Sequence, residues 1–175
     1  MTEWDWQRPT GSEVQRVAFV AHDRVFKKNL MGWKDRSGLV TDNYKDYGIN
    51  LYGAFGEYYV GKYLNIRWNT CLEDEGGADL VTPGGYKIQV KTTVYQIGGL
   101  IHRPIERVVD YHVLVVAQDN PFSFRIAGWM GGDQVVDEKH WDNPIIKNGR
   151  PPCHYVKQED LYDMKILKSK IDEEK

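Results

Sequence analysis

Asp79 stands ten residues before Gln89, which opens the run Gln89-Val90-Lys91, and Glu57 lies upstream among small and apolar residues. Two carboxylates, an amide oxygen and an ammonium form a set of hard oxygen donors beside one positive charge. Mg²⁺ and Mn²⁺ favour such donors, and Mg²⁺ is usually held by one or two carboxylates together with substrate phosphate. Lys91 is then placed to orient or deprotonate a metal-bound water, or to offset charge building on a phosphate during in-line attack. Phosphodiester hydrolysis by metal-activated water is the chemistry implied.

These side chains act together only if the elements carrying them bring them to one place. Pro83-Gly84-Gly85 is a turn sequence. It divides Ala78–Thr82 from Tyr86–Tyr95, a run rich in Val, Thr, Ile and Tyr, and so predicts a hairpin. With three residues in the loop, Thr82 faces Tyr86 and Asp79 faces Gln89. Opposed residues share a face, and Lys91, two further on, shares it as well. A helix is predicted from about Ile49 to Leu64, with Gly53, Glu57, Val60, Gly61 and Leu64 on one stripe. Before it, Ser12 with Gln15 makes a capping-box signature, and Val14, Val17, Ala18, Ala21 and Val25 predict an amphipathic helix to about Asn29. The first dozen residues read as an irregular arm over the domain, and 32–47 as a long loop of the kind that serves as a lid. Further strands are expected at Ile66–Leu72, Tyr111–Ala117 and Phe122–Trp129. Residues 96–110 just suffice for a crossover to a parallel strand. The stretch 141–152 reads as a loop, and a charged, frayed helix is expected from Gln158.

The stretches Gly53-Ala-Phe-Gly-Glu57, Gly77-Ala-Asp79-Leu-Val and Ile88-Gln-Val-Lys91-Thr-Thr together resemble the PD-(D/E)XK nuclease superfamily. The Asp…Gln-x-Lys form is similar to that of small phage-encoded members and archaeal Holliday junction resolvases. The resemblance covers about Ile49 to Ala117. It implies an α/β, restriction-endonuclease-like mixed central sheet flanked by helices. It also implies a single domain over 1–175, with an N-terminal helical extension at about 1–48 and a nuclease core at about 49–130. Carried over by position, Asp79, Gln89, the Val90 carbonyl and Glu57 bind Mg²⁺ or Mn²⁺, and Lys91 serves catalysis with Asp79, Gln89 and Glu57. The implied activity is a metal-dependent DNA nuclease working in the cytoplasm, that of a host if a phage encodes it. Two features depart from the pattern: Gln89 replaces the more usual acid, and Ala78 the usual proline.

Around this constellation, Lys87, Arg103 and Arg107 are candidate phosphate contacts, with Thr92 and Thr93 as hydroxyl donors. Glu106 is the only acid between Val81 and Val109. The 23 basic and 25 acidic residues leave a formal charge of −2, so bulk charge does not advertise nucleic acid. Two cysteines are too few for a disulfide scaffold, which fits a reducing compartment. The longest uncharged runs fall short of the roughly 20 apolar residues a membrane span needs. Gly53 and Gly56 form no phosphate loop with a following Lys-Ser/Thr, so no nucleotide cofactor is expected. Cys153, His154, His140 and His102 lack zinc-site spacing, and Trp33, Trp68, Trp129 and Trp141 read as packing residues. Two rival readings use the same fold: a catalytically inactive module binding DNA or a host protein, and a virion structural component. Junction cleavage would require a symmetric homodimer.

Overall fold

The computed structural model describes residues 6–30, 43–68, 70, 78–142 and 152–173. They form one α/β domain in which a four-stranded mixed sheet has the three longer helices on one face and a small second sheet with a short helix on the other.

Helix α1 spans Gly11–Leu30. Its cap is Thr10, two residues earlier than the Ser12 signature suggests: the Thr10 hydroxyl accepts from the Glu13 N–H at 3.3 Å, and Glu13 Oε2 accepts from the Thr10 N–H at 2.8 Å. That reciprocal pair is a capping box at Thr10-x-x-Glu13. Before it, Gln7 exchanges two backbone hydrogen bonds with Phe124, so the described part of the arm, residues 6–10, lies on the domain.

Helix α2 spans Asn43–Leu64, which replaces the last part of the expected lid with helix and puts the 48/49 boundary inside an element. The rest of that loop, Trp33 included, lies outside the described residues. The end of α2 is set by Asn65, whose φ of 54° is left-handed. The Ile66 N–H then reaches back to the Gly61 carbonyl at 3.0 Å, closing a Schellman motif.

The main sheet has the order β1 (Leu80–Val81), β2 (Lys87–Thr93), β4 (Tyr111–Asp119), β5 (Phe122–Gly131). The hairpin register is the predicted one: Leu80 pairs with Ile88 and Val81 with Lys87, the Thr82 N–H donates to the Tyr86 carbonyl, and Gly85 supplies the positive φ of the turn. Strand β4 runs parallel to β2, as the crossover length implies, and antiparallel to β5. The crossover holds no helix. It contributes β3 (Leu100–His102) to a second sheet of order β3–β7–β6, where β6 is Trp141–Asp142 and β7 is Cys153–Val156. Residues 66–68 and 70 are not strand, so the expected strand at 66–72 is absent where it is described.

Side chains alternate along β2. Ile88 and Val90 enter the core under α2, where Gly56 lies so close to β2 that an added Cβ would sit 2.1 Å from Thr92 Oγ1. In that core Phe55 stacks on Phe124 with centroids 4.9 Å apart, and each such ring withdrawn from water contributes about 1.5–3 kcal/mol. The opposite face packs Leu114 and Met130 of the main sheet against Leu100, Val156 and Val135, the last in the short helix α3 (Gly132–Val135). The C-terminal helix α4 (Met164–Asp172) is not frayed: Asp163 caps it, and Met164, Leu167 and Ile171 are buried in the main core.

Candidate functional site

The hairpin register sets the position of Asp79. Its N–H donates to the Ile88 carbonyl, continuing the β1 ladder, and its Oδ2 accepts from Gln89 Nε2 and from the Val90 N–H, both at 2.6 Å. A residue's N–H and C=O leave a strand on the same edge, so the Val90 carbonyl emerges beside Asp79 at the rim of β2. Gln89 turns its amide nitrogen to Asp79, and its amide oxygen accepts no hydrogen bond among the described residues. Asp79 thus stands beside two oxygens that can serve a hard cation.

The Asp79 carboxyl is pushed up to about 8, far above the usual carboxylate range. Burial is the larger cause and the nearby charge of Glu57 the next; the Val90 N–H, Lys91 and Arg24 act in the opposite direction. Glu57 and Lys91 therefore both lie within electrostatic reach of Asp79. Two of the four predicted side chains nevertheless hold other partners.

Glu57 is the first. It lies on the buried stripe of α2, as predicted, but its two oxygens accept from Arg24 Nη1 and Nη2 at 2.7 and 2.6 Å, and Oε2 also accepts from Trp68 Nε1 at 3.1 Å. The side chains of the pair are only 15% and 8% exposed, for Arg24 and Glu57 respectively. A buried carboxylate needs a partner, and this fork supplies one. As it stands, Glu57 is the counter-ion of Arg24, so the donors that fit Mg²⁺ or Mn²⁺ are Asp79, Gln89 and the Val90 carbonyl. Arg24 is missing from the sequence-based set. The signal for it was its place seven residues after Val17 and three after Ala21, a cation on an apolar stripe to match the anion on α2.

Lys91 is the second. Its Nζ donates to Glu106 Oε1 at 2.9 Å, and the two side chains are 28% and 29% exposed. Glu106 Oε2 lies 3.7 Å from His102 Nδ1. His102 stands edge-on to His112, with ring centroids 5.1 Å apart, and His112 is the β4 partner of Gln89. Burial draws both imidazoles down, His112 to about 3, with the neighbouring charges of His102 and Lys91 adding to it. Both ring nitrogens of His112 are buried without a hydrogen bond. Among the described residues, no three His, Cys, Asp or Glu side chains converge so as to hold a metal ion.

The candidate phosphate contacts divide. Arg103 and Arg107 flank Glu106 on the crossover. Lys87 lies four residues before Lys91, about 13 Å away along the strand, and borders a separate cleft of about 580 Å³ that includes Asp110 and Gln134 but none of the four site residues. Thr93 Oγ1 accepts from the Tyr95 N–H, which braces the turn after β2. Thr92 is corrected outright: its hydroxyl is buried beneath Gly56 on the α2 side, out of reach of a phosphate. Trp68 is buried against Tyr58 as a packing residue, and so is Trp129, whereas Trp141 is exposed. Cys71, Glu73, Asp74 and Glu75 lie outside the described residues.

No protein-family model matches the chain, and no curated protein matches it. No helix among the described residues is long and apolar enough to cross a membrane.

Proposed function

We propose that this chain is a divalent-metal-dependent DNA nuclease of the PD-(D/E)XK type. The observation that carries the reading is the junction at Asp79, where one carboxylate meets the Gln89 amide and the Val90 N–H in a register that also brings Lys91 to the same side of the hairpin. Asp79, the Gln89 oxygen and the Val90 carbonyl would hold Mg²⁺ or Mn²⁺, which when bound supplies Lewis-acid polarisation and activates water for attack. The chain's own residues do the rest. Lys91 offers a fixed ammonium to the charge that builds on the phosphate. Arg24 offsets the charge of Glu57 beside Asp79. Arg103 and Arg107 provide screened attraction for a phosphate backbone on the adjoining turn.

The test is incubation of the purified protein with linear, nicked and branched DNA in Mn²⁺ and in EDTA, alongside Lys91→Ala. Cleavage that requires Mn²⁺ and falls at least about a hundredfold in Lys91→Ala is expected. Equal nicking by both proteins would remove the nuclease reading.

One observation favours a second reading, a binding module without activity: Glu57 and Lys91 each already hold an internal partner. That reading predicts DNA retention unaffected by Mn²⁺ and by Asp79→Asn.

A further inference from the structure

We infer that Glu106 is a positioning residue that holds the Lys91 ammonium away from Asp79, so that the Asp79 carboxylate is left for the divalent ion. The inference rests on the metal reading of Asp79 given above. Lys91 has two acidic side chains in its surroundings. Asp79 lies across the hairpin within reach of its charge, and Glu106 lies on the crossover at 2.9 Å from Nζ.

The position of Glu106 is built into its turn. The Glu106 N–H donates to the Arg103 carbonyl at 2.9 Å, and its Oε2 accepts from the Arg103 N–H at 3.5 Å, so the carboxylate is held from both ends of a four-residue turn. Behind it, His102, 2% exposed, leaves the side chain little room to withdraw. The crossover carries β3 into the second sheet instead of forming a helix, and this is what sets an acid opposite the β2 lysine.

Without Glu106, the half-buried ammonium is left within electrostatic reach of Asp79. An ammonium bonded to that carboxylate would compete with the cation for the same lone pairs. Glu106 therefore serves two ends at once: it keeps Asp79 open, and it fixes Lys91 at a constant distance from it.

The experiment is titration with Mn²⁺ followed by electron paramagnetic resonance, in which no turnover is read. Glu106→Gln, nearly isosteric, is expected to bind Mn²⁺ about tenfold more weakly than the unaltered protein. In the Lys91→Met background the same substitution is expected to change affinity by less than about twofold, because the competitor is gone. Glu106→Asp, which keeps the charge but draws it back by one methylene, should fall between; thermal melts check that each variant folds. An unchanged affinity in Glu106→Gln overturns the inference. So does an equal loss in both backgrounds, which would mean that Glu106 acts by its charge alone and not through Lys91. If the unaltered protein binds no Mn²⁺, the metal reading fails and this inference falls with it. If it binds Mn²⁺ but Glu106→Gln has no effect, only the inference fails.

Discussion

Replacing Asp79 with asparagine should stabilise the metal-free protein, and by an amount that grows with pH. The folded-state pKa of Asp79 is raised from about 3.8 to about 8. Below 3.8 the carboxyl is protonated in both folded and unfolded chains and contributes nothing that depends on pH. Between the two values the unfolded chain has lost its proton and the folded one keeps it, so stability falls as pH rises through this window and levels off above it. Water reaching the half-buried carboxyl and relaxation of the rim hold the effect to about 1–3 kcal/mol. An asparagine oxygen can still accept from Gln89 and the Val90 N–H, so the substitution removes the charge and keeps the two hydrogen bonds. In EDTA, Asp79→Asn should melt within about a degree of the unaltered protein at pH 4 and several degrees above it at pH 9, at about 2–4 °C per kcal/mol for a chain of this size. Added Mn²⁺ should reverse the order, since only the aspartate form gains from the ion. A gap that does not change with pH, or a variant less stable at every pH, would show that Asp79 is held in an ordinary paired state and refute the reasoning.

Three further outcomes follow from the packing. Arg24→Met should cost about 3–5 kcal/mol in urea unfolding, because it leaves the Glu57 carboxylate buried with only Trp68 as donor. Gly56→Ala should cost about 1–3 kcal/mol through its clash with Thr92, and most of that should return in the double variant with Thr92→Ala. His112, whose pKa is lowered to about 3, resists protonation when folded, so its contribution is complete above pH 6.5 and is lost as the pH falls towards 3. His112→Leu should therefore flatten the acid limb of the stability profile by about 1–3 kcal/mol between pH 6.5 and 4, as followed by circular dichroism.

What could be read ahead of the structure was local. Pro83-Gly84-Gly85 specifies the hairpin loop, and the loop specifies which residues oppose each other, so the contact of Asp79 with Gln89 was within reach of the sequence. The parallel crossover followed from chain length in the same way. Contacts between distant segments were not legible. Arg24 meets Glu57 across 33 residues because α1 lies along α2, and only the misfit of each charge on its own apolar stripe hinted at it. Glu106 stood out as the lone acid in a basic stretch, but the absence of a crossover helix, which sets it against Lys91, has no local signature. The start of α2 was missed because Asp42, Asn43 and Gly48 favour turns, while the burial of Ala54, Phe55 and Tyr59 further along the same helix rewards an unbroken segment. Residues 66–68, apolar enough for a strand, instead follow the Schellman turn and deliver Trp68 to Glu57.

The short β1 has a consequence for access. Helix α2 covers one side of the main sheet and the β3–β7–β6 layer packs on the other. The ladder beside Asp79 is only two rungs deep, so among the described residues the carboxylate is met in the plane of the sheet by the Gln89 and Val90 groups that bond it. Under the reading proposed above, a phosphate would meet Asp79 at that margin of the sheet and not on either covered face.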